Sequence, residues 1–136
     1  MSFANGRPRA VISVCTSCRS AQEGDASSPG DALLAALWAA APADGAPDIA
    51  VRPVQCLSVC KRPCTVALAG PDRYTYVFGD LDPATAAAPL LECARLFLQA
   101  EHGYLLWRER PEPLRRGILA RIPPAGLDSA DGRHPR

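Results

Sequence analysis

Five of the six cysteines in this 136-residue chain fall in two tight groups, Cys15 with Cys18 and Cys56 with Cys60 and Cys64, while Cys93 stands alone. Each group begins where a strand-like run ends. Ala10-Val-Ile-Ser-Val14 leads directly into Cys15, and Ile49-Ala-Val-Arg-Pro-Val54 runs into Cys56. A metal centre needs several thiolates to converge from rigid backbone, and loops at the carboxyl ends of two adjacent parallel strands provide that convergence. The two groups are therefore expected to meet at one edge of a sheet. The three-residue gaps between Cys56, Cys60 and Cys64 let two sulfurs point inward from one loop or one helical turn.

In an exported domain six cysteines would suggest three disulfides. Met1 to Arg9, however, hold no charged region followed by an apolar stretch, so the expected setting is cytoplasmic and reducing. There the same spacing favours metal ligation or thiol redox chemistry over a disulfide framework. No apolar run approaches the roughly 18 to 20 residues that a membrane span needs. Lys and Arg number 15 against 14 Asp and Glu. That balance supplies no overall field for steering the chain onto nucleic acid or an anionic membrane, and neither is expected as a partner.

The rest of the chain alternates in a recognisable order. Ser20 to Gly30 reads as a loop, after which Asp31 can cap a helix carrying Leu33, Leu34, Leu37 and Trp38 on one face. Pro42, Asp44, Gly45 and Pro47 end it before the second strand. Thr65-Val-Ala-Leu68 and Tyr74-Thr-Tyr-Val-Phe78, separated by Ala69 to Arg73, form the pattern of a hairpin. A closing helix is expected from near Asp82 and Pro83 to about Ala100, with Leu90, Leu91, Ala94 and Leu98 along it. The order β-α-β-β-β-α, with a right-handed crossover between the first two strands, predicts an α/β, thioredoxin-like single domain. We assign 1–9 to a flexible N-terminus, 10–105 to the metal-binding domain, 106–124 to an irregular Arg/Pro-rich extension that docks on the core or binds a partner, and 125–136 to a disordered tail. Arg108, Arg110, Arg115, Arg116 and Arg121 give the extension a basic excess, which is either a solvated face or a docking surface for an acidic partner protein.

Val14-Cys-Thr-Ser-Cys-Arg19 and Val54-Gln-Cys-Leu-Ser-Val-Cys60 resemble the motifs of the thioredoxin-like [2Fe-2S] ferredoxins. Together with Cys-Leu-Ser-Val-Cys-Lys-Arg-Pro-Cys64, Tyr-Thr-Tyr-Val-Phe-Gly-Asp-Leu81 and Trp107-Arg-Glu-Arg-Pro111, the span from Val11 to Pro124 is similar to an uncharacterised bacterial family of predicted metal-binding proteins close to those ferredoxins. The resemblance implies a [2Fe-2S] cluster held by Cys15, Cys18, Cys56 and Cys60. It also implies electron transfer to or from a protein partner, rather than an enzyme activity of the chain itself. A link to cobalamin or cobalt metabolism, and assembly as a homodimer or a subunit, are further implications. Two departures bear on the ligands: the first pair is more closely spaced than in these ferredoxins, and Cys64 adds a fifth candidate. Either Cys18 or Cys64 could be the fourth ligand. Arg19, Lys61 and Arg62 border the clusters, where cations would tune an anionic centre or meet a partner.

Two rival chemistries share the same cysteines. Four thiolates from paired short motifs also suit structural zinc, which would make the chain a scaffold or metal-delivery protein with a metal-handling partner. Alternatively, Cys15 as nucleophile and Cys18 as resolving thiol would form a thioredoxin-type oxidoreductase, with Pro63 as the facing proline. Cys93, on the apolar side of the closing helix, reads as a small buried hydrophobe. His102 and His134 read as surface residues, and Trp38 and Trp107 as packing residues. No phosphate-binding glycine loop and no hydrolytic triad can be drawn from the spacing.

Overall fold

The structure, a computed structural model, describes residues 9–17, 29–40, 48–59 and 64–125. Five strands form one mixed sheet: β1 (Ala10–Cys15), β2 (Ile49–Val54), β3 (Val66–Ala69), β4 (Thr75–Phe78) and β5 (Ile118–Ile122), in the spatial order β2-β1-β3-β4-β5. β1 and β2 are parallel, from Ala10 opposite Ile49 to Cys15 opposite Val54. Every other pairing is antiparallel. The parallel pair follows from the connection between them. A crossover through a helix returns the chain in the same direction, whereas the five-residue turn between β3 and β4 reverses it.

The strands alternate as half-buried strands do. Ile12, Val14, Val66, Leu68, Tyr76 and Phe78 share one face and are almost fully buried. Against them pack α1 (Pro29–Ala40), through Leu33, Leu34 and Leu37, and α2 (Ala87–Gln99), through Leu90, Leu91, Cys93, Ala94 and Phe97. The two helices touch each other and both touch β1. This is the thioredoxin-like α/β arrangement expected from the order of elements.

The details differ from the sequence reading in three places. α2 begins at Ala87 rather than near Asp82, because Pro89 in an earlier-starting helix would lack an interior N–H and press on a carbonyl one turn back. Asp82 instead holds a separate turn, its Oδ1 accepting from the Ala84 amide at 2.9 Å. The segment after Leu106, which has no sequence period, is built of a 3₁₀ turn (Trp107–Glu109), a short α3 (Glu112–Arg116) and β5, which covers the edge of β4. Trp38 and Trp107, expected to pack, are 55 % and 61 % exposed. The Trp38 indole lies at the rim of α1 and donates to the Val51 carbonyl at 3.1 Å, partly closing the β2 edge. His102 is half-buried at φ 54°, beside the Asp72 carbonyl, and His134 lies outside the described residues.

Candidate metal centre

Cys15 is the last residue of β1 and is fully buried. Its amide donates to the Thr65 carbonyl at 3.0 Å, tying the end of β1 to the approach of β3. Its Sγ lies 3.9 Å from the Gln55 carbonyl oxygen and 3.8 Å from Ser17 Oγ, so the thiol faces the loop that carries Cys56. Thr16 fastens the other side of that junction. Its amide and hydroxyl both donate to the Val54 carbonyl, at 3.0 and 3.1 Å. The strand end cannot drift from its neighbour without breaking both bonds.

Cys56 stands two residues beyond β2 and is exposed. The Ser58 amide donates to its Sγ at 3.1 Å. Ser58 has φ 63°, the left-handed region that non-glycine residues seldom occupy, so the chain turns sharply just past Cys56. Such local strain, roughly 1–3 kcal/mol, persists only when its surroundings enforce it and tends to gather at functional sites. An amide aimed at a cysteine sulfur is also the kind of bond that stabilises anionic thiolate in a cluster.

Cys64 completes the edge from the third strand. It is buried, and its amide and carbonyl exchange bonds with Leu81 at 3.4 and 3.3 Å. Burial pushes its thiol up to about 11, with the Cys15 thiol and the Asp82 carboxylate adding to the effect. Cys15 and Cys64 therefore sense each other across the strand ends. Over the same edge sits the first turn of α1. A Cβ at Gly30 would lie 1.9 Å from the Cys15 carbonyl oxygen, so only glycine lets the helix approach this closely. The N-terminal turn of α1 thus lies against the backbone of Cys15 and Thr16.

Of the ligands nominated from sequence, Cys15 lies at the end of β1, Cys56 two residues beyond β2 and the alternative Cys64 two residues before β3, all at the same end of the sheet; Cys18 and Cys60 lie outside the described residues, as do Arg19, Lys61, Arg62 and Pro63. Among the described residues no three His, Cys, Asp or Glu side chains stand close enough to hold a metal ion. The donor set that is present nevertheless suits a thiophilic centre: sulfurs from three strand ends and one amide-to-sulfur bond. Thr16, Gly30, Ser58 and Asp82 shape the site without being legible as site residues. The helix itself starts at Pro29, two residues before the Asp31 cap expected from sequence, so that Gly30 falls in its first turn. Cys93 is fully buried in the core on α2, and burial drives its thiol up to about 12.

Among known structures, the chain is similar to a thioredoxin-like [2Fe-2S] ferredoxin from Aquifex aeolicus, with a TM-score of 0.56 and 16 % identity over 88 % of this chain and 98 % of that one. At that identity the likeness speaks for the fold. No curated protein matches the chain. No helix among the described residues is long and apolar enough to cross a membrane. Residues 12–124, most of the chain, match the family described as "Protein of unknown function (DUF1636)", and the chain belongs to that family.

Proposed function

We propose that the protein is a small ferredoxin-like electron carrier that holds a [2Fe-2S] cluster at the cysteine edge of its sheet and exchanges electrons with a redox protein partner. The observation that supports this reading is that Cys15, Cys56 and Cys64 stand at the same end of the sheet, beside the ends of β1 and β2 and the start of β3. The ligands would be Cys15, Cys18, Cys56 and Cys60, with Cys64 in place of one of them or beside them. When bound, such a cluster supplies a site for reversible uptake of a single electron.

The chain's own part is electrostatic and steric. The Ser58 amide offsets the charge of the Cys56 thiolate. The hydrogen bonds of Thr16 and Cys15 fix the spacing of the strand ends, and burial of Cys15 keeps water from that ligand. The same burial weighs against the thioredoxin-type reading, because an attacking thiol must be reachable by its substrate.

The test is an ultraviolet-visible spectrum with iron, zinc and acid-labile sulfide analysis on protein purified without oxygen and without added metal. Iron and sulfide in equal amounts, with a visible chromophore that bleaches on reduction, are expected. Stoichiometric zinc without colour would replace the electron carrier with a structural or metal-handling module. Cys56→Ser and Cys60→Ser are each expected to abolish the chromophore, since a hydroxyl replaces a thiolate on iron poorly; an unchanged spectrum in both would overturn the ligand assignment.

A further inference from the structure

At the far edge of the sheet from β2, the C-terminal segment forms an open, shallow groove of about 450 Å³ lined by Trp107, Arg110, Ile118, Leu119, Ala120 and Arg121. Arg110 is only 3 % exposed, yet it has no ion pair among the described residues. Its Nη1 reaches the Leu105 carbonyl at 3.5 Å, a long bond, and its Nε has no partner. A buried guanidinium left this way is costly unless a counter-charge arrives. Burial, above all, pulls its pKa below the usual guanidinium range, and the positive charge of Arg121 adds to that.

No acidic side chain lines the groove to answer the two cations. The segment from 103 to 125 has two carboxylates, and both are engaged: Glu109 accepts from the Leu106 amide at 2.8 Å, and Glu112 pairs with Arg116 at 3.5 Å. The walls, by contrast, are held in place. Arg115 donates to the carbonyls of Arg110 and Arg108, both at 2.9 Å, while its guanidinium lies 5.0 Å from the centre of the Trp107 ring. The Arg121 guanidinium rests 4.5 Å over the Tyr104 ring. The cations are thus preorganised beside an exposed indole and the flank of β5.

We propose that this groove binds a small organic oxyanion, a carboxylate or phosphate on a flat apolar body, with the charge held by Arg110 and Arg121 and the body laid along Trp107, Ile118 and Leu119. The site is separate from the cysteine edge and does not depend on a cluster there. A guanidinium pair recognises planar or tetrahedral oxyanions through paired charge-assisted bonds, and a groove of this volume falls in the range of small-ligand sites.

Titration of the full chain with phenyl phosphate, benzoate and inorganic phosphate, followed by amide and indole resonances in two-dimensional NMR, tests the proposal. Phenyl phosphate or benzoate should shift the Trp107 indole and the amides of Ile118 to Arg121 saturably, and the tighter of the two identifies the preferred charge. Arg121→Gln should weaken that binding at least tenfold, and Arg110→Met should abolish it while leaving the unliganded fold intact. Should Arg110→Met fail to fold, Arg121→Gln decides alone. Absence of saturable shifts with both aromatic probes, or unchanged affinity in Arg121→Gln, would overturn the site. An equal response to inorganic phosphate would overturn the role given to the apolar wall.

Discussion

At the hairpin end of the sheet the buried polar groups of the hairpin and of α2 are met by the protein itself, while Asp48 Oδ1 and Arg110 Nε are buried without a partner. The Tyr76 hydroxyl donates to the Gly103 carbonyl at 3.1 Å and accepts from the Leu105 amide at 2.7 Å. Arg73 Nη1 donates to the last carbonyls of α2, Phe97 at 2.8 Å and Ala100 at 3.0 Å, with its charge 5.6 Å from the Phe97 ring centre. At the cysteine end the backbone is as firmly tied, and the strand ends there carry sulfur in place of aromatic rings. Cys15 and Cys64 are buried, the Cys15 Sγ lying 3.8 Å from Ser17 Oγ and 3.9 Å from the Gln55 carbonyl oxygen, and the exposed Cys56 accepts from the Ser58 amide. The first end carries its own stability. The second is built from backbone bonds between strand ends that carry cysteines.

Phe97→Ala should break the first end hardest. Phe97 is fully buried, edge-on to Tyr76 at 6.1 Å, and its loss should cost about 3–5 kcal/mol in urea unfolding. If the two ends are independent, the molecules that remain folded keep the full chromophore per iron. A loss below about 1 kcal/mol would mean that the hairpin end relaxes around the cavity and is less tightly packed than its contacts suggest.

Gly30→Ala sharpens the comparison from the other side. Alanine favours a helix over glycine by about 1 kcal/mol, so an open site would gain stability. Here the new Cβ meets the Cys15 carbonyl oxygen at 1.9 Å, a backbone atom that cannot swing aside as a side chain can, and α1 must lift from the strand end. We expect a net loss of up to about 3 kcal/mol together with reduced iron content. Unchanged iron would separate the position of α1 from the function of the cysteine edge. Tyr76→Phe is the smaller counterpart at the hairpin end. It leaves the Leu105 amide and the Gly103 carbonyl without their buried partner, and should cost about 2 kcal/mol in unfolding with no change in the visible spectrum.

The strands that frame the cysteines were legible because β-branched runs end directly on Cys15 and just before Cys56, and a parallel pair must bring those ends together. The hairpin was legible for the same local reasons. β5 was not: Ile118-Leu-Ala-Arg-Ile122 lacks strict alternation, and its partner strand lies some forty residues upstream, so its pairing is a tertiary fact. The start of α2 was misplaced because Asp82 and Pro83 signal a helix start locally, while Pro89 moves it one turn on. At the candidate site, the cysteine pattern nominated the donors, and the strand order accounts for where Cys15 and Cys56 stand. The left-handed bend at Ser58 had no sequence signal, since serine rarely takes it, and the closeness of α1 depended on a glycine that could equally have served the preceding loop. The exposed tryptophans were misread because a large aromatic in an apolar stretch ordinarily packs, whereas Trp38 uses its N–H on the β2 edge and Trp107 stands beside Arg115.

The smallest expected effect concerns the two kinds of cysteine in the reduced, metal-free protein. Cys93 belongs to the packed region and keeps its proton from the ordinary thiol value of 9.0 up to about 12, chiefly because burial disfavours the thiolate. Its folded value is raised above its unfolded one, so the stability it contributes is complete below about 9 and is lost as the pH climbs through the interval toward about 12. Unfolding midpoints measured across that interval should therefore fall more steeply for the native chain than for Cys93→Ala. In the same material at neutral pH, peptide mapping after brief iodoacetamide treatment should find Cys56 alkylated well before Cys93, because Cys56 is exposed and Cys93 is not. Equal pH slopes together with equal labelling would mean that the interior beneath α2 opens as readily as the cysteine edge, and the contrast between the two ends would fail at its most basic point.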